Sequence, residues 1–295
     1  MIKFYKYQGL GNDFILFDLS ENPAMESLDP NQISSLCDRK LAIGADGILL
    51  YSVMESGKRL RMIYYNSDGS RAETCFNGLR SIALHGARSG DVSTGTEFEI
   101  VQDAGIVNAN VNDGLNSVKI ELAPARYEPE FTHLIDNREL IDDNLEFSFG
   151  TLRGTFLSMG NPHFVCWKSN EKLDDLNEVV LKTGSDVEKS SHFTQGTNFE
   201  LASIINSREI NMAVWERGAG YTLACGSGAT AAVCAGVKIG SLSADQPVVV
   251  FMAGGKLVVN VHEDAENIEI EGEATFVYTG EIDIEEFRIK GENGS

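Results

Sequence analysis

Two cysteines in matching surroundings constrain the fold of this chain more than any other feature. Cys75 and Cys225 each follow a polar loop that contains glycine, and each precedes a stretch with helical apolar spacing. A thiol at the N-terminus of a helix lies at the positive end of the backbone dipole. This position favours the thiolate and lowers a pKa that is about 8.5 in free cysteine. We therefore predict a working pair of thiols, which suits the removal of a proton from carbon and its return.

A second pair of similar segments indicates an internal duplication. A Gly-Asn segment near the start, at Asn12, resembles one in the middle, at Asn161. The chain spaces these two asparagines 149 positions apart and the two cysteines, Cys75 and Cys225, 150 positions apart. Because both pairs share nearly one offset, we expect each half to supply one asparagine loop and one helix that begins at a cysteine. This offset is much longer than a solenoid repeat, so the sequence predicts two lobes of domain size.

Short strands and a few helices alternate along both halves. Helices are predicted from Asp29 or Asn31 to Lys40, after Cys75, and over residues 177–182 and 227–239; most other periodic segments are strand-like. We place a domain boundary at Pro124, where strand-like sequence ends. The duplication further predicts that a last strand, residues 274–279, returns to the first lobe. The N-terminal lobe would then comprise residues 1–124 plus about 274–295, and the C-terminal lobe residues 125–273.

Composition and charge limit the class of protein. The chain has 295 residues, 42% of them hydrophobic and 23% charged, which is enough for two domains with full cores. Its formal net charge of −20 disfavours nucleic acids and anionic membranes as partners. It has no apolar signal core and no run that could span a membrane, so we expect a cytoplasmic protein. The five cysteines lack the spacing of a metal site, and we expect Cys37, Cys166 and Cys234 to lie in the core.

Five motifs, taken together, resemble the diaminopimelate epimerase family. They lie in order around Asn12, residues 44–47, Cys75, Asn161 and Cys225, and the resemblance extends from residue 1 to about 280. It implies an α/β (α+β) fold of two pseudo-symmetric lobes, each a curved, mostly antiparallel sheet wrapped around a central helix. It also implies an isomerase that interconverts LL- and meso-diaminopimelate in lysine and peptidoglycan-precursor biosynthesis, without pyridoxal phosphate, metal or any other cofactor.

The resemblance also implies the roles of individual residues. Cys75 and Cys225 would be the acid/base thiols on opposite faces of the substrate Cα, with His163 and Glu216 beside them as further catalytic residues. Substrate-binding positions would be Asn12, Asn66, Phe76, Asn77, Asn161, Asn198, Glu216, Arg217, Gly226 and Ser227. Among these, Asn77, Gly226 and Ser227 would offer backbone N–H groups to the substrate carboxylate, because helix N-termini bind anions. Tyr278 would lie at the contact of a homodimer, whereas Arg39 and Arg80 are predicted to be structural.

Phe76 departs from the family pattern, which usually has glycine directly after the first cysteine. The ring either packs into the core, leaving the activity intact, or narrows the pocket and changes the substrate. The second case indicates a related cofactor-independent racemase of another amino acid, and a non-catalytic amino-acid-binding protein is a further alternative. A dinucleotide-binding turn at residues 226–231 fits less well, because no βαβ series surrounds it. A cysteine hydrolase that uses Cys225 and His163 leaves Cys75 unexplained.

Overall fold

The computed structural model describes residues 1–263 and 265–284. The chain forms two compact units, within each of which most contacts are made. Unit 1 contains Met1–Ile120 together with the final segment, which begins at Gly272, and unit 2 is Glu121–Glu271. The sequence analysis placed these boundaries at residue 124 and at about 274. The part of that prediction that concerns residues 285–295 lies outside the described residues.

Unit 1 contains one short 3₁₀ helix, two α-helices and a set of strands. The 3₁₀ helix is Pro23–Ser27, and the α-helices are α1 (Pro30–Cys37) and α2 (Phe76–Ser89). The strands are β1 (Ile2–Gly9), β2 (Asn12–Asp18), β3 (Gly47–Glu55), β4 (Arg59–Asn66), β5 (Arg71–Ala72), β6 (Phe98–Gln102), β7 (Gly105–Val111) and β8 (Val118–Leu122), which crosses the unit boundary along the chain. Unit 2 supplies β9 (Asp143–Phe147), β10 (Gly150–Ser158), β11 (Pro162–Ser169), β12 (Asn198–Asn206), β13 (Glu209–Glu216), β14 (Gly220–Thr222), β15 (Val248–Met252), β16 (Gly255–Val261) and β17 (Ile268–Gly272). Its helices are α3 (Pro129–Thr132), α4 (Leu173–Glu188) and α5 (Gly226–Lys238).

The two units repeat one pattern of strand pairing. In unit 1, β2 runs parallel to β3 and β4 parallel to β6, and the remaining described pairs are antiparallel. In unit 2, β11 runs parallel to β12 and β13 parallel to β15, again among antiparallel pairs. The last described strand, β18 (Thr275–Ile282), pairs antiparallel with β1, with Ile2 opposite Ile282. Each unit is therefore a mixed α/β structure with a mostly antiparallel sheet.

One helix lies at the centre of each unit. Helix α2 contacts β1, β3, β4, β7 and β18, and α5 contacts β10, β11, β12, β13 and β16. Both helices are buried along most of their length, which their small residues permit. A Cβ atom added at Gly86 of α2 would lie 2.6 Å from Leu60 Cδ1 of β4, and one added at Gly236 of α5 would lie 3.2 Å from Trp167 Cζ2 of β11. These close approaches confirm the predicted helix wrapped by sheet.

The structure corrects two predicted helix boundaries. Helix α1 ends at Cys37 instead of Lys40, because the Asp38 carboxylate accepts the backbone N–H groups of Lys40 and Leu41 and stabilises a turn. Helix α4 extends well beyond the predicted residues 177–182 in both directions. Its buried positions Leu176, Val180, Gly184 and Val187 keep a helical spacing over its full length.

Three cysteines lie in the core, as predicted. Cys37 belongs to the cluster of unit 1 around Phe17 and Ile33, and Cys166 to the cluster of unit 2 around Phe156. Cys234 is buried on α5. In the part of the chain that the structure describes, no helix is both long enough and apolar enough to cross a bilayer.

Candidate active site

Cys75 and Cys225 occupy equivalent positions on matching helices. Each is the N-cap residue of its helix, with extended backbone, and each Sγ accepts the N–H of the residue three positions on. The two hydrogen bonds, from Gly78 and from Gly228, are both 3.4 Å long. The sulfur therefore takes the place that a serine or aspartate oxygen holds in most N-caps. Both thiols lie beside backbone N–H groups that a helix leaves without internal partners.

The surroundings of Cys225 favour the protonated thiol. Only 4% of the residue is exposed, and burial raises its pKa well above the ordinary value. The carboxylates of Glu216 and Glu200 raise that pKa further, whereas the Ser227 hydroxyl, 3.4 Å from Sγ, and the Gly228 N–H act in the opposite direction. The Gly228 N–H at the helix N-terminus thus acts in the predicted direction. Desolvation and two nearby carboxylates outweigh it, so the net shift of the Cys225 pKa is upward.

In unit 1, a chain of hydrogen bonds links Asp46, Asn12 and Asn77, the second residue of α2. A two-residue turn, Leu10 and Gly11, has left-handed backbone at both positions and places Asn12 at the first position of β2. Asn12 Nδ2 donates to Asp46 Oδ2 at 3.1 Å, and Asn77 Nδ2 donates to Asn12 Oδ1 at 3.3 Å. The amide orientations of Asn12 and Asn77 are thus fixed.

Other predicted residues of unit 1 lie outside this chain of bonds. Asn66 Nδ2 donates to Ser70 Oγ within its own turn, at 3.0 Å. Phe76, the first residue of α2, is partly buried and is not among the buried core side chains. Arg39 forms ion pairs with Asp13 at 2.6 Å and Asp46 at 2.7 Å. This geometry supports the predicted structural role of Arg39, which holds the loop that orients Asn12.

In unit 2, His163 is held between two side-chain oxygens. Its Nδ1 lies 2.7 Å from Glu200 Oε1, and its Nε2 lies 3.0 Å from Asn161 Oδ1. The side chains of His163 and Glu200 are both fully buried. Burial raises the pKa of Glu200, and the adjacent imidazole acts in the opposite direction. The ring is therefore fixed in orientation by a carboxylate on one side and an amide on the other.

Asn198 and Arg217 extend this cluster. Parallel pairing of β11 with β12 sets Asn198 opposite His163. The Asn198 side chain donates to Pro162 O at 2.9 Å and accepts the Arg217 backbone N–H at 2.8 Å. Arg217 Nη1 donates to Gln195 O at 3.0 Å. Glu216 accepts a hydrogen bond of 2.5 Å from the Thr222 hydroxyl. The predicted site residues of unit 2 therefore lie at β11, at the start of β12, at the end of β13 and at the start of α5. They are Asn161, His163, Asn198, Glu216, Arg217, Cys225, Gly226 and Ser227.

Sequence reasoning missed two carboxylates in these clusters. Glu200 lies two residues after Asn198 on β12, and Asp46 directly precedes β3. Alternation along a strand places Asn198 and Glu200 on one face, so a charged residue two positions from a predicted site residue was the available signal. Asp46 lies within the motif at residues 44–47, which its two glycines mark as a loop without indicating a role for the aspartate.

Comparison with known proteins identifies the family. The family model described as "Diaminopimelate epimerase" matches residues 4–128 and 155–277. Diaminopimelate epimerase of Prochlorococcus marinus (strain NATL2A) is 35% identical over 294 residues, with 95% of this chain and 99% of that protein covered. The enzyme of Halothermothrix orenii is 35% identical over 295 residues, covering 97% and 99%. The chain belongs to the diaminopimelate epimerase family.

Solved structures share the fold at low sequence identity. A probable proline racemase from Agrobacterium radiobacter K84 superposes with a TM-score of 0.68 at 12% identity, covering 96% of this chain and 93% of that one. A PhzF-family phenazine biosynthesis protein from Bacillus anthracis gives a TM-score of 0.64 at 15% identity, covering 95% and 98%. The fold class and the family predicted from the motifs are confirmed, and the chain is an isomerase of the epimerase type.

Proposed function

We propose that this chain interconverts LL- and meso-diaminopimelate by a two-base mechanism in which the thiols of Cys75 and Cys225 are the acid and the base. The reaction would serve lysine and peptidoglycan-precursor biosynthesis and would need neither pyridoxal phosphate nor a metal. The observation that carries the proposal is the pair of equivalent cysteine N-caps on α2 and α5 in a member of this family. A mechanism with a single catalytic thiol would not explain why both helices begin with a cysteine.

The chemistry requires both a base and stabilisation of negative charge. The Cα–H of an amino acid is very weakly acidic, so the carbanion must be stabilised as it forms. Backbone N–H groups of Asn77, Gly226 and Ser227 lie in the first turns of the two helices and are suited to bind the α-carboxylate, over which that charge spreads. One thiol begins as thiolate and removes the proton from one face of Cα. The other begins protonated and delivers a proton to the opposite face, which inverts the centre.

The raised pKa of Cys225 supports one division of roles between the thiols. Because burial and two carboxylates favour the protonated form of Cys225, it is proposed to begin as the proton donor, which leaves the role of base to Cys75. The reverse reaction starts from the form in which these roles are exchanged. His163, fixed by Glu200 and Asn161, and Glu216 are proposed to orient the α-amino group and to exchange protons near the thiols.

Substrate selection is proposed to rest on Arg217 and four asparagines. Arg217 is an exposed residue whose guanidinium donates to Gln195 O, and the planar shape of that group suits two hydrogen bonds to the distal carboxylate. The amide orientations of Asn12, Asn77, Asn161 and Asn198 are set by hydrogen bonds in their own units. Asn66 is proposed as a further substrate contact on the family pattern.

Phe76 favours a second candidate, a racemase of a different amino acid in the same fold. Phe76 is partly buried at the first position of α2 and directly follows Cys75 in the chain. In that position it would narrow a pocket shaped for a side chain as long as that of diaminopimelate. The choice of substrate therefore has to be measured.

The test is a stereochemical screen with cysteine variants. LL-diaminopimelate and a set of other L-amino acids are incubated with the protein, and the isomers are separated by chiral chromatography. We expect conversion of LL- to meso-diaminopimelate, and a loss of kcat of about 10³-fold or more in Cys75→Ala and in Cys225→Ala. Cys234→Ala, a buried position on the same helix as Cys225, is the matched control and should stay active.

Each other outcome of the screen has a definite meaning. Full activity in either catalytic variant would exclude the two-base mechanism. Conversion of another amino acid, but not of diaminopimelate, would establish the second candidate. Binding without conversion of any amino acid would indicate a non-catalytic protein.

The protein is further proposed to be a cytoplasmic homodimer that contacts its partner through β18. Val277 and Tyr278 on this strand are 50% and 44% exposed, and the Tyr278 ring packs on Phe4 at 6.0 Å. All five cysteines are free, which suits a reducing compartment. Tyr278→Glu should convert a dimer to a monomer in sedimentation velocity, whereas Ile106→Glu, at an exposed position of β7, should not. A monomer in the unaltered protein would contradict the dimer, and cell fractionation tests the compartment.

A further inference from the structure

The two central helices differ at one position that matters for charge. Arg80 lies five residues after Cys75, and the position five residues after Cys225 holds Thr230. Both side chains are buried, with no exposed fraction. The duplicated helices therefore carry a cation behind one catalytic cysteine and a neutral hydroxyl behind the other.

Arg80 is a buried cation whose hydrogen-bond acceptors are all neutral. Its guanidinium donates to the Asn77 side-chain oxygen, to Phe76 O at 3.3 Å and to Glu273 O at 3.4 Å. Within residues 1–263 and 265–284, no carboxylate forms an ion pair with it. Burial lowers the pKa of Arg80 to about 10, so the group remains positively charged at neutral pH. The charge of Cys75 acts on Arg80 and raises its pKa.

A buried charge without a counter-charge is costly, and the nearby thiol can remove that cost. An ion taken out of water loses its hydration, and only an opposite charge or well-placed hydrogen bonds offset that loss. A thiolate at Cys75, the N-cap of α2, would supply a negative charge that offsets the positive charge of the Arg80 guanidinium on the same helix. The Asn77 side chain, which accepts from Arg80 and donates to Asn12, ties the cation to the same site.

Cys225 has the opposite surroundings. Thr230 Oγ1 donates to Gly226 O at 2.9 Å and brings no charge. The ionisable groups that act on Cys225 are the carboxylates Glu216 and Glu200, and both oppose a thiolate. Glu200 also lies against the helix itself, because a Cβ atom added at Gly228 would be 2.7 Å from its Oε1. The sign of the local charge is therefore reversed between the two cysteines.

We propose that Arg80 is a positioning residue for the proton: its buried guanidinium holds Cys75 as the thiolate, while threonine at the matched position leaves Cys225 protonated. Arg80 behind Cys75, together with burial and two carboxylates around Cys225, thus sets which of the two equivalent cysteines is the base in the resting enzyme. The inference deepens the proposed function and rests on it for its catalytic meaning. It also replaces the purely structural role predicted for Arg80 from the sequence.

The test measures thiolate formation directly, without substrate. The rate of iodoacetamide alkylation of Cys75 and of Cys225 is followed against pH, with each site quantified by peptide mass spectrometry. In the unaltered protein, the midpoint for Cys75 should lie below that for Cys225. Arg80→Met and Arg80→Gln should raise the Cys75 midpoint by at least about one pH unit, a tenfold loss of thiolate below the midpoint. Arg80→Lys keeps the positive charge, so its Cys75 midpoint should stay close to that of the unaltered protein. The matched control Thr230→Val should leave the Cys75 midpoint unchanged.

Two results would overturn the inference. One is a Cys75 midpoint at or above that of Cys225 in the unaltered protein, which holds even if no Arg80 variant folds. The other is an unchanged Cys75 midpoint in a folded neutral variant, with folding checked by thermal melting. A midpoint that shifts as expected in a protein that does not epimerise diaminopimelate would reject the proposed function and leave the Arg80–Cys75 coupling standing. An active epimerase with an unshifted midpoint would do the reverse.

Discussion

Opposing influences meet at the Cys225 side chain and decide where its proton resides. Burial and the carboxylates of Glu216 and Glu200 stabilise the thiol, whereas the Ser227 hydroxyl and the Gly228 N–H stabilise the thiolate. The raised pKa shows that the first group prevails. At Cys225, the position at a helix N-terminus is therefore not enough to predict the direction of the pKa shift, because desolvation of the buried thiol acts against it.

Removal of one carboxylate should make Cys225 more acidic. In Glu216→Gln the hydrogen bond from Thr222 can persist, but the negative charge that opposes the thiolate is gone. The pKa of Cys225 should fall, so that the pH midpoint of its alkylation moves down by about one unit. Glu178→Gln, which changes the same charge on an exposed residue of α4, should leave the midpoint unchanged. An unaltered midpoint in Glu216→Gln would show that the Glu216 carboxylate does not help to hold the proton on Cys225.

The α2 and α5 helices show which elements a sequence can and cannot predict. Both were predictable because each begins at a cysteine after a glycine-bearing loop and carries small residues where strands approach. Strands β5 and β14 were not, because two or three residues are too short to show a period. The start of α4 was missed because Lys172 forms no side-chain cap and so gives no N-terminal signal.

The candidate site likewise contains some residues that the sequence predicts and others that it cannot. Motifs identified Asn12, Cys75, His163 and Cys225 because these residues lie in short segments of unusual composition. The partner of His163 was not identifiable, because Glu200 reaches the ring from a neighbouring strand and is brought there only by the β11–β12 register. Burial could not be inferred either, and it reverses the expected pKa shift of Cys225 and gives Arg80 its significance.

At the scale of the whole molecule, two units of similar structure surround their cysteines with different charges. The units repeat the same order of parallel and antiparallel pairs and the same cysteine cap. They differ in what surrounds the thiol, with a buried arginine in unit 1 and two glutamates in unit 2. A reaction that inverts a stereocentre needs one base and one acid, so this divergence suits a duplicated fold to the task.

The fate of hydrogen at Cα tests the two-base mechanism most directly. LL-diaminopimelate is incubated with the enzyme in D₂O, the reaction is stopped at early conversion, and both isomers are analysed by mass spectrometry. One thiolate removes the original proton, and the opposing thiol, already exchanged with solvent, delivers deuterium to the other face. The product should therefore carry deuterium at the inverted Cα while the recovered substrate still carries protium, in both reaction directions. A product that retains the original proton would contradict the assignment of Cys75 and Cys225 as an opposed acid–base pair.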